Sequence, residues 1–152
     1  MSKTSIISLT PYQDINDVLV QLSQEMRVLL SKNFVGLYLF GFLSYGDFNL
    51  GSSDIDLVAV VRKPLDAYEL ERIKQFHKKI GGLNIKWFDR LECSYTPLSM
   101  FTEILPPVEP RPYYGGGVFY DEASRFFINT LKLSRFLFII TSHWISNSKL
   151  SH

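Results

Sequence analysis

The chain has one cysteine, Cys93. That excludes an internal disulfide and suits a reducing, cytoplasmic compartment. Its three histidines, His77, His143 and His152, stand far apart, so no Cys/His set has zinc spacing. No run reaches the roughly 20 apolar residues of a membrane span; the most apolar stretch, Phe126 to Ile140, is broken by Lys132 and Arg135. The first residues lack the apolar core of roughly 7–15 residues that a secretion signal needs. Basic and acidic residues nearly balance, 16 against 15, which leaves no basic stripe for nucleic acid. Internal repeats are absent. What remains is a chain of 152 residues, 46% hydrophobic and 20% charged, about one globular domain able to bury roughly two thirds of its unfolded surface.

Acid is also missing from Ala123 to His152. This divides the chain into a domain over 1–122 and an apolar, helix-length tail over 123–152. Segment 126–145 of the tail is a candidate surface for a protein partner or self-association.

Along the first part, Thr10-Pro11-Tyr12-Gln13 has the form of a helix start, with Thr10 as cap, Pro11 in the first turn and Gln13 completing a capping box. Ile15, Val18, Leu19, Leu22, Met26 and Leu29 recur at helical spacing, predicting a helix to Lys32. Val35–Phe40 predicts a strand ending at Gly41. Asp54–Val61 predicts another, with Ile55, Leu57, Ala59 and Val61 on one face and Asp54, Asp56, Val58 and Val60 on the other. Pro64–Ile80 predicts an amphipathic helix stopped by Gly81-Gly82. Ile85–Trp87 and Leu91–Thr96 are further strands, the second ended by Pro97. The proline-rich 106–112 predicts a stiff connector and Gly115-Gly116-Gly117 a flexible one. The order helix, strand, strand, helix, strand predicts an α/β (α+β) domain with a mixed β-sheet flanked by helices.

Two acidic pairs share the i, i+2 spacing, and their settings separate them. Glu69 and Glu71 fall on a helix, where residues two apart point away from each other. Asp54 and Asp56 fall on a strand and point the same way, about 6.5–7 Å apart. Before them stand Gly41, Ser44, Gly46, Gly51, Ser52 and Ser53. Small residues let backbone approach a phosphate, and their N–H and hydroxyl groups donate to its oxygens. Mg²⁺ is held by one or two carboxylates together with substrate phosphates, the combination this segment offers. The alternative is a Gly/Ser loop ending in solvated acids. In Leu91–Thr96, alternation places Glu92, Ser94 and Thr96 on one face. Glu92 completes a three-carboxylate cluster if this strand pairs beside Asp54–Val61; otherwise it is a surface acid on an edge strand. Cys93, on the other face, reads as small core filler, and His77 amid Lys78 and Lys79 as a solvated helix face. Trp87 and Phe88 read as packing, and Tyr113-Tyr114-Gly115 as loop rather than nucleotide contact.

Leu37-Tyr38-Leu39-Phe40-Gly41, Tyr45-Gly46-Asp47-Phe48 and Ser52-Ser53-Asp54-Ile55-Asp56-Leu57, followed by Leu91-Glu92-Cys93-Ser94-Tyr95, resemble the nucleotidyltransferase superfamily of polymerase-beta-like fold. Within it they resemble most the bacterial aminoglycoside adenylyltransferases of the streptomycin/spectinomycin type. The resemblance spans about residues 10–122. It implies Mg²⁺-dependent transfer of AMP from ATP to a hydroxyl of an aminoglycoside. Asp54 and Asp56 would hold the metal, two ions in the usual scheme. Glu92 would act as base or third ligand, and Gly41, Ser44 and Ser53 would lie near the triphosphate. Two departures stand out: Phe42 follows Gly41 where the family has a small residue, and the tail is expected to be an incomplete counterpart of the family's helical second domain. The alternatives are an antitoxin-like module of the same fold that binds a helical partner, and an inactive pseudoenzyme.

Overall fold

The computed structural model describes residues 10–40, 49–83, 86–101 and 111–123, with the backbone of 138–139. The elements run α1 (Gln13–Leu30), β1 (Phe34–Phe40), β2 (Ile55–Val61), α2 (Ala67–Gly82), β3 (Leu91–Pro97), β4 (Arg111–Gly115), β5 (Val118–Ala123) and β6 (Phe138–Ile139). The strands form one sheet in the order β5-β4-β3-β2-β1-β6. Only β2 and β3 pair in parallel, joined through α2; the other neighbours are antiparallel. The sheet is therefore mixed, as the element order predicts.

One face of this sheet meets the helices. Ile55, Leu57, Ala59 and Val61 of β2, and Leu91, Cys93 and Tyr95 of β3, join Ile15, Leu19, Leu22 and Met26 of α1 and Ile73 and Ile80 of α2 in a single core. The period-2 and period-3.6 patterns thus meet in one apolar layer. Cys93 is core filler, 1% exposed, and burial pushes its thiol up to about 12.

Several local expectations change. Thr10 does not cap α1: the cap position is Tyr12, without a side-chain bond. Instead Thr10 Oγ1 accepts from Tyr12 N and lies 2.8 Å from Asn16 Oδ1, while Asn16 Nδ2 donates to Thr10 O. Asn16, buried in the first turn, bound Thr10 into a turn of its own. Gln13 donates to Asp17 rather than closing a capping box. The capping box belongs to α2, where Asp66 accepts from Glu69 N and Glu69 accepts from Asp66 N. Gly81 and Gly82 form the last two residues of α2, which is capped by Leu83. Trp87 is not in a strand; it has φ 86° and leads into a 3-10 turn, Phe88–Arg90. Gly115-Gly116-Gly117 is not a flexible connector: Gly116 and Gly117, at φ 57° and 77°, turn the β4–β5 hairpin, a conformation glycine adopts without cost. Arg111-Pro112, expected in the stiff connector, begins β4. Residues 102–110 lie outside the described residues, as do 84–85 and nearly all of the tail. Of the tail, Ala123 ends β5, and Phe138 and Ile139 form a short strand against Tyr38 and Leu39 where a helix is expected.

Candidate functional site

The face of the sheet opposite α1 and α2 carries the acids. Parallel pairing sets Asp56 directly opposite Glu92 and Ile55 opposite Leu91, at the usual interstrand spacing of about 4.8 Å. Asp54 immediately precedes β2 and is exposed, whereas Asp56 and Glu92 are half-buried. All three acids therefore gather where two parallel strands begin. Beyond Asp56 and Glu92 the same face continues into Val58, Val60, Ser94 and Thr96, all buried, with Ser94 Oγ and Thr96 Oγ1 bonded to each other at 2.8 Å.

The three carboxylates act on one another. Asp56 is pushed up to about 7, first by burial, then by the charge of Glu92 and a hydrogen bond to it, and lastly by the charge of Asp54. Close carboxylates resist joint ionisation, so Asp56 keeps its proton up to near neutrality, hydrogen-bonded to Glu92. A cation here would remove that penalty, and an all-oxygen donor set suits a hard ion such as Mg²⁺. Among the described residues, no group of three His, Cys, Asp or Glu side chains forms a ready-made metal cage. An ion would thus need oxygens from a substrate as well as from these acids, the usual arrangement for Mg²⁺ with phosphates. The residues fit the ion on those terms.

Glu69 and Glu71 serve as the internal control. Glu69 is buried in the cap of α2 and accepts from Asn33 Nδ2 at 2.9 Å, while Glu71 is exposed and accepts from Gln75. They do not share a site.

The segment before Asp54 is a compact turn organised by Asn49. Asn49 Oδ1 accepts from Gly51 N, and Asn49 O accepts from Ser52 N and Ser53 N. Ser53 Oγ accepts from Asn49 N at 3.0 Å, which leaves its hydroxyl proton available to a ligand. Gly41 and Ser44, with Phe42, lie outside the described residues, and their expected place beside a triphosphate is an expectation from sequence alone.

Sequence reasoning missed Tyr113. It lies on β4 opposite Ser94, is 5% exposed, and bonds through its phenol to Glu92. Burial and then the charge of Glu92 raise its hydroxyl well above the ordinary tyrosine range, so it remains a proton donor. Its ring lies near Tyr120 of β5, with centroids 6.3 Å apart. Gly115 makes room for it: a Cβ there would come within 2.6 Å of the Tyr113 ring. The Tyr-x-Gly spacing was the available signal, obscured because three consecutive glycines resemble a linker.

His77 also departs from expectation. It is 1% exposed rather than solvated. Its Nε2 lies 2.6 Å from the Tyr95 hydroxyl and its ring stacks on Tyr114. Burial lowers it to about 3, so it stays neutral. It belongs to the helix side of the sheet, facing a cleft of about 760 Å³ bordered by Lys78, Trp87 and Phe119, away from the acids. Trp87 and Phe88 are packing residues, each 2% exposed.

A family model described as a nucleotidyltransferase domain matches residues 19–98, just over half of the chain. This chain belongs to the nucleotidyltransferase domain family. The matched span contains β1, the Asn49 turn, Asp54, Asp56, α2 and Glu92. Among solved structures, the chain is similar to the spectinomycin adenyltransferase AAD(9) from Enterococcus faecialis, solved with ATP and spectinomycin. The identity is 22% and the TM-score 0.49, over 74% of this chain and 47% of that one. The nucleotidyltransferase domain described here thus spans about half the length of that protein. No curated protein matches the chain. No helix among the described residues is long and apolar enough to cross a membrane.

Proposed function

We propose that this nucleotidyltransferase domain binds ATP with Mg²⁺ at Asp54, Asp56 and Glu92 and transfers AMP to a hydroxyl of a small molecule. An aminoglycoside is the acceptor that the sequence resemblance favours, and the cytoplasm, where ATP and a free thiol coexist, is the proposed location. The observation that carries the reading is the in-register pairing of Asp56 with Glu92 at the start of two parallel strands, beside Asp54. Bound Mg²⁺, one ion or two, would neutralise phosphate charge and polarise the reacting phosphoryl group.

The chain's own residues divide the remaining work. Asp54 and Asp56 would present oxygens from one strand face to the ion, which would bridge them to the phosphates. Asp56 at rest is hydrogen-bonded to Glu92; once Asp56 has lost its proton to solvent, Glu92 is free to accept the proton of the attacking hydroxyl. The acceptor oxygen bonds to the α-phosphorus while the bond to pyrophosphate breaks. Tyr113 donates to Glu92, fixing which carboxylate oxygen faces the substrate. Ser53, and Gly41 and Ser44 before it, supply donors to the triphosphate. Catalysis on this reading is mostly positioning and charge compensation.

The test is thermal unfolding with and without Mg²⁺ and ATP, for the natural chain and for Asp54→Ala/Asp56→Ala. A ligand at a hundred times its dissociation constant stabilises by about 2.7 kcal/mol, several degrees for a domain of this size. The expected result is a Mg²⁺-dependent shift in the natural chain and none in the variant. Equal shifts in both, or no shift in either, would contradict the reading and favour a partner-binding module or a pseudoenzyme.

A further inference from the structure

Arg90 joins the two acid-bearing segments. It closes the 3-10 turn just before β3, two residues ahead of Glu92, yet its guanidinium reaches the turn that leads into Asp54. Nη1 donates to Leu50 O at 2.6 Å. Nη2 donates to Asn49 O at 3.2 Å and also to Ser53 O. Three carbonyls of a single five-residue turn thus converge on one side chain. A planar fork with five donors can do this, whereas an ammonium presents a point charge without that geometry.

The fork is itself held in place. Its Cζ lies 4.8 Å from the Trp87 ring centroid, within range of a cation–π contact. Trp87 in turn donates from Nε1 to Asp14 Oδ2 at 2.8 Å, which anchors the ring to the first turn of α1. Trp87 also has φ 86°, a backbone region costly for a bulky residue and retained only where the surroundings impose it. The result is a connected path from α1, through Trp87 and Arg90, to the backbone of Ser53, whose next residue is Asp54.

We propose that Arg90 is a positioning residue: it fixes the Asn49–Ser53 turn so that Asp54 sits beside Asp56 and Glu92 in a geometry ready for a cation and phosphate. Arg90 acts through the three carbonyls, and its positive charge is not what matters. The inference rests on the proposed function for its ligand readout, and on the apo protein alone for its structural one.

The experiment compares the natural chain with Arg90→Ala, Arg90→Lys and Lys86→Ala. Lys86 also lies over Trp87, at 4.6 Å, and pairs with Asp14 at 3.5 Å, but makes no bond to the turn, so its variant controls for loss of a charge beside that ring and its anchor. Two quantities are measured: hydrogen exchange of the amides of residues 51–54 without ligand, and ATP affinity by calorimetry with and without Mg²⁺. Arg90→Ala and Arg90→Lys should each speed exchange at 51–54 about tenfold or more and remove most of the Mg²⁺-dependent gain in affinity. Affinity for ATP without Mg²⁺ should change little, and Lys86→Ala should match the natural chain throughout. Natural behaviour of Arg90→Lys would overturn the proposal, because charge would then suffice. Unchanged exchange at 51–54 in Arg90→Ala would overturn it as well. A natural chain that binds no ATP with Mg²⁺ would instead sink the functional reading, and the exchange result would still decide whether the clamp exists.

Discussion

Asp56 and His77 are both pushed toward their neutral forms by burial, Asp56 by keeping a proton and His77 by refusing one. Asp56 is pushed toward its protonated form first by burial and then by its acidic neighbours Glu92 and Asp54. His77 is kept unprotonated by burial alone, within a ring of Phe76, Tyr95, Tyr114 and Phe119. Lys74, Lys78 and Asp89 border the same cleft. The lowered value sets the sign of its contribution. Between about pH 6.5, the ordinary histidine value, and about pH 3, the unfolded chain takes up a proton that the folded chain refuses. The stabilising contribution is complete above the unfolded value and falls as pH drops, by up to about 1.4 kcal/mol per pH unit. Asp56, raised to about 7, acts with the opposite sign over much of the same range, because there the folded chain holds a proton that the unfolded chain lacks. The difference between the natural chain and His77→Leu isolates the histidine. Urea unfolding between pH 7 and pH 4 should show the variant gaining stability relative to the natural chain as pH falls. The same substitution should cost about 1–3 kcal/mol at pH 7, because the Tyr95 hydroxyl loses its partner. The same pH slope in both chains would show that His77 does not contribute to it.

Among the elements, the β4–β5 hairpin has the most specific packing requirement. Tyr113 folds back over Gly115 while its hydroxyl reaches Glu92, so the bare Cα of Gly115 is what allows the phenol to stand beside the acids. Gly115→Ala should destabilise the domain by about 1–3 kcal/mol through overpacking and weaken the hold on Glu92. In a Tyr113→Ala background the same change should cost almost nothing, since the ring it strikes has gone. A double-mutant cycle measures this coupling directly. Additive effects of the two substitutions would mean that Gly115 is needed only for the backbone of the hairpin turn.

For the molecule as a whole, the sheet order places β2 and β3 at its centre with β5 at one edge. β2 is buried along nearly its whole length on both faces, whereas Val118 and Tyr120 of β5 are each 48% exposed. Openings that expose an edge strand require less free energy than global unfolding. Native-state hydrogen exchange should therefore find Val58, Ala59 and Val60 among the slowest amides and those of β5 faster by orders of magnitude. Equal protection across the two strands would mean that the hairpin and the sheet centre open as one unit. The separation matters for the site: Asp56 and Glu92 stand on the stable centre, while Tyr113 reaches them from the more readily opened hairpin.

The local patterns of the chain determined most of its elements and the identity of its acids. Alternation over residues 54–61 and 91–96 assigned the faces of β2 and β3 correctly, because a strand buried on a helix layer must place every second residue there. The same rule separated Asp54 and Asp56 from Glu69 and Glu71. Local pattern did not reveal where groups distant in sequence would meet. The parallel register that sets Asp56 against Glu92 depends on how α2 returns the chain, and no residue of either strand encodes it alone. Three glycines read as a linker until tertiary packing made them a turn with Tyr113 folded over it. His77 has the lysine neighbours of a solvated face, yet the hairpin covers it. Arg90, one basic residue in a turn, gains its three carbonyl partners only when residues some forty positions earlier come alongside. Side-chain periodicity is a short-range property, fixed by backbone geometry; cross-strand register and long-range hydrogen bonds are settled by the burial of the whole chain at once.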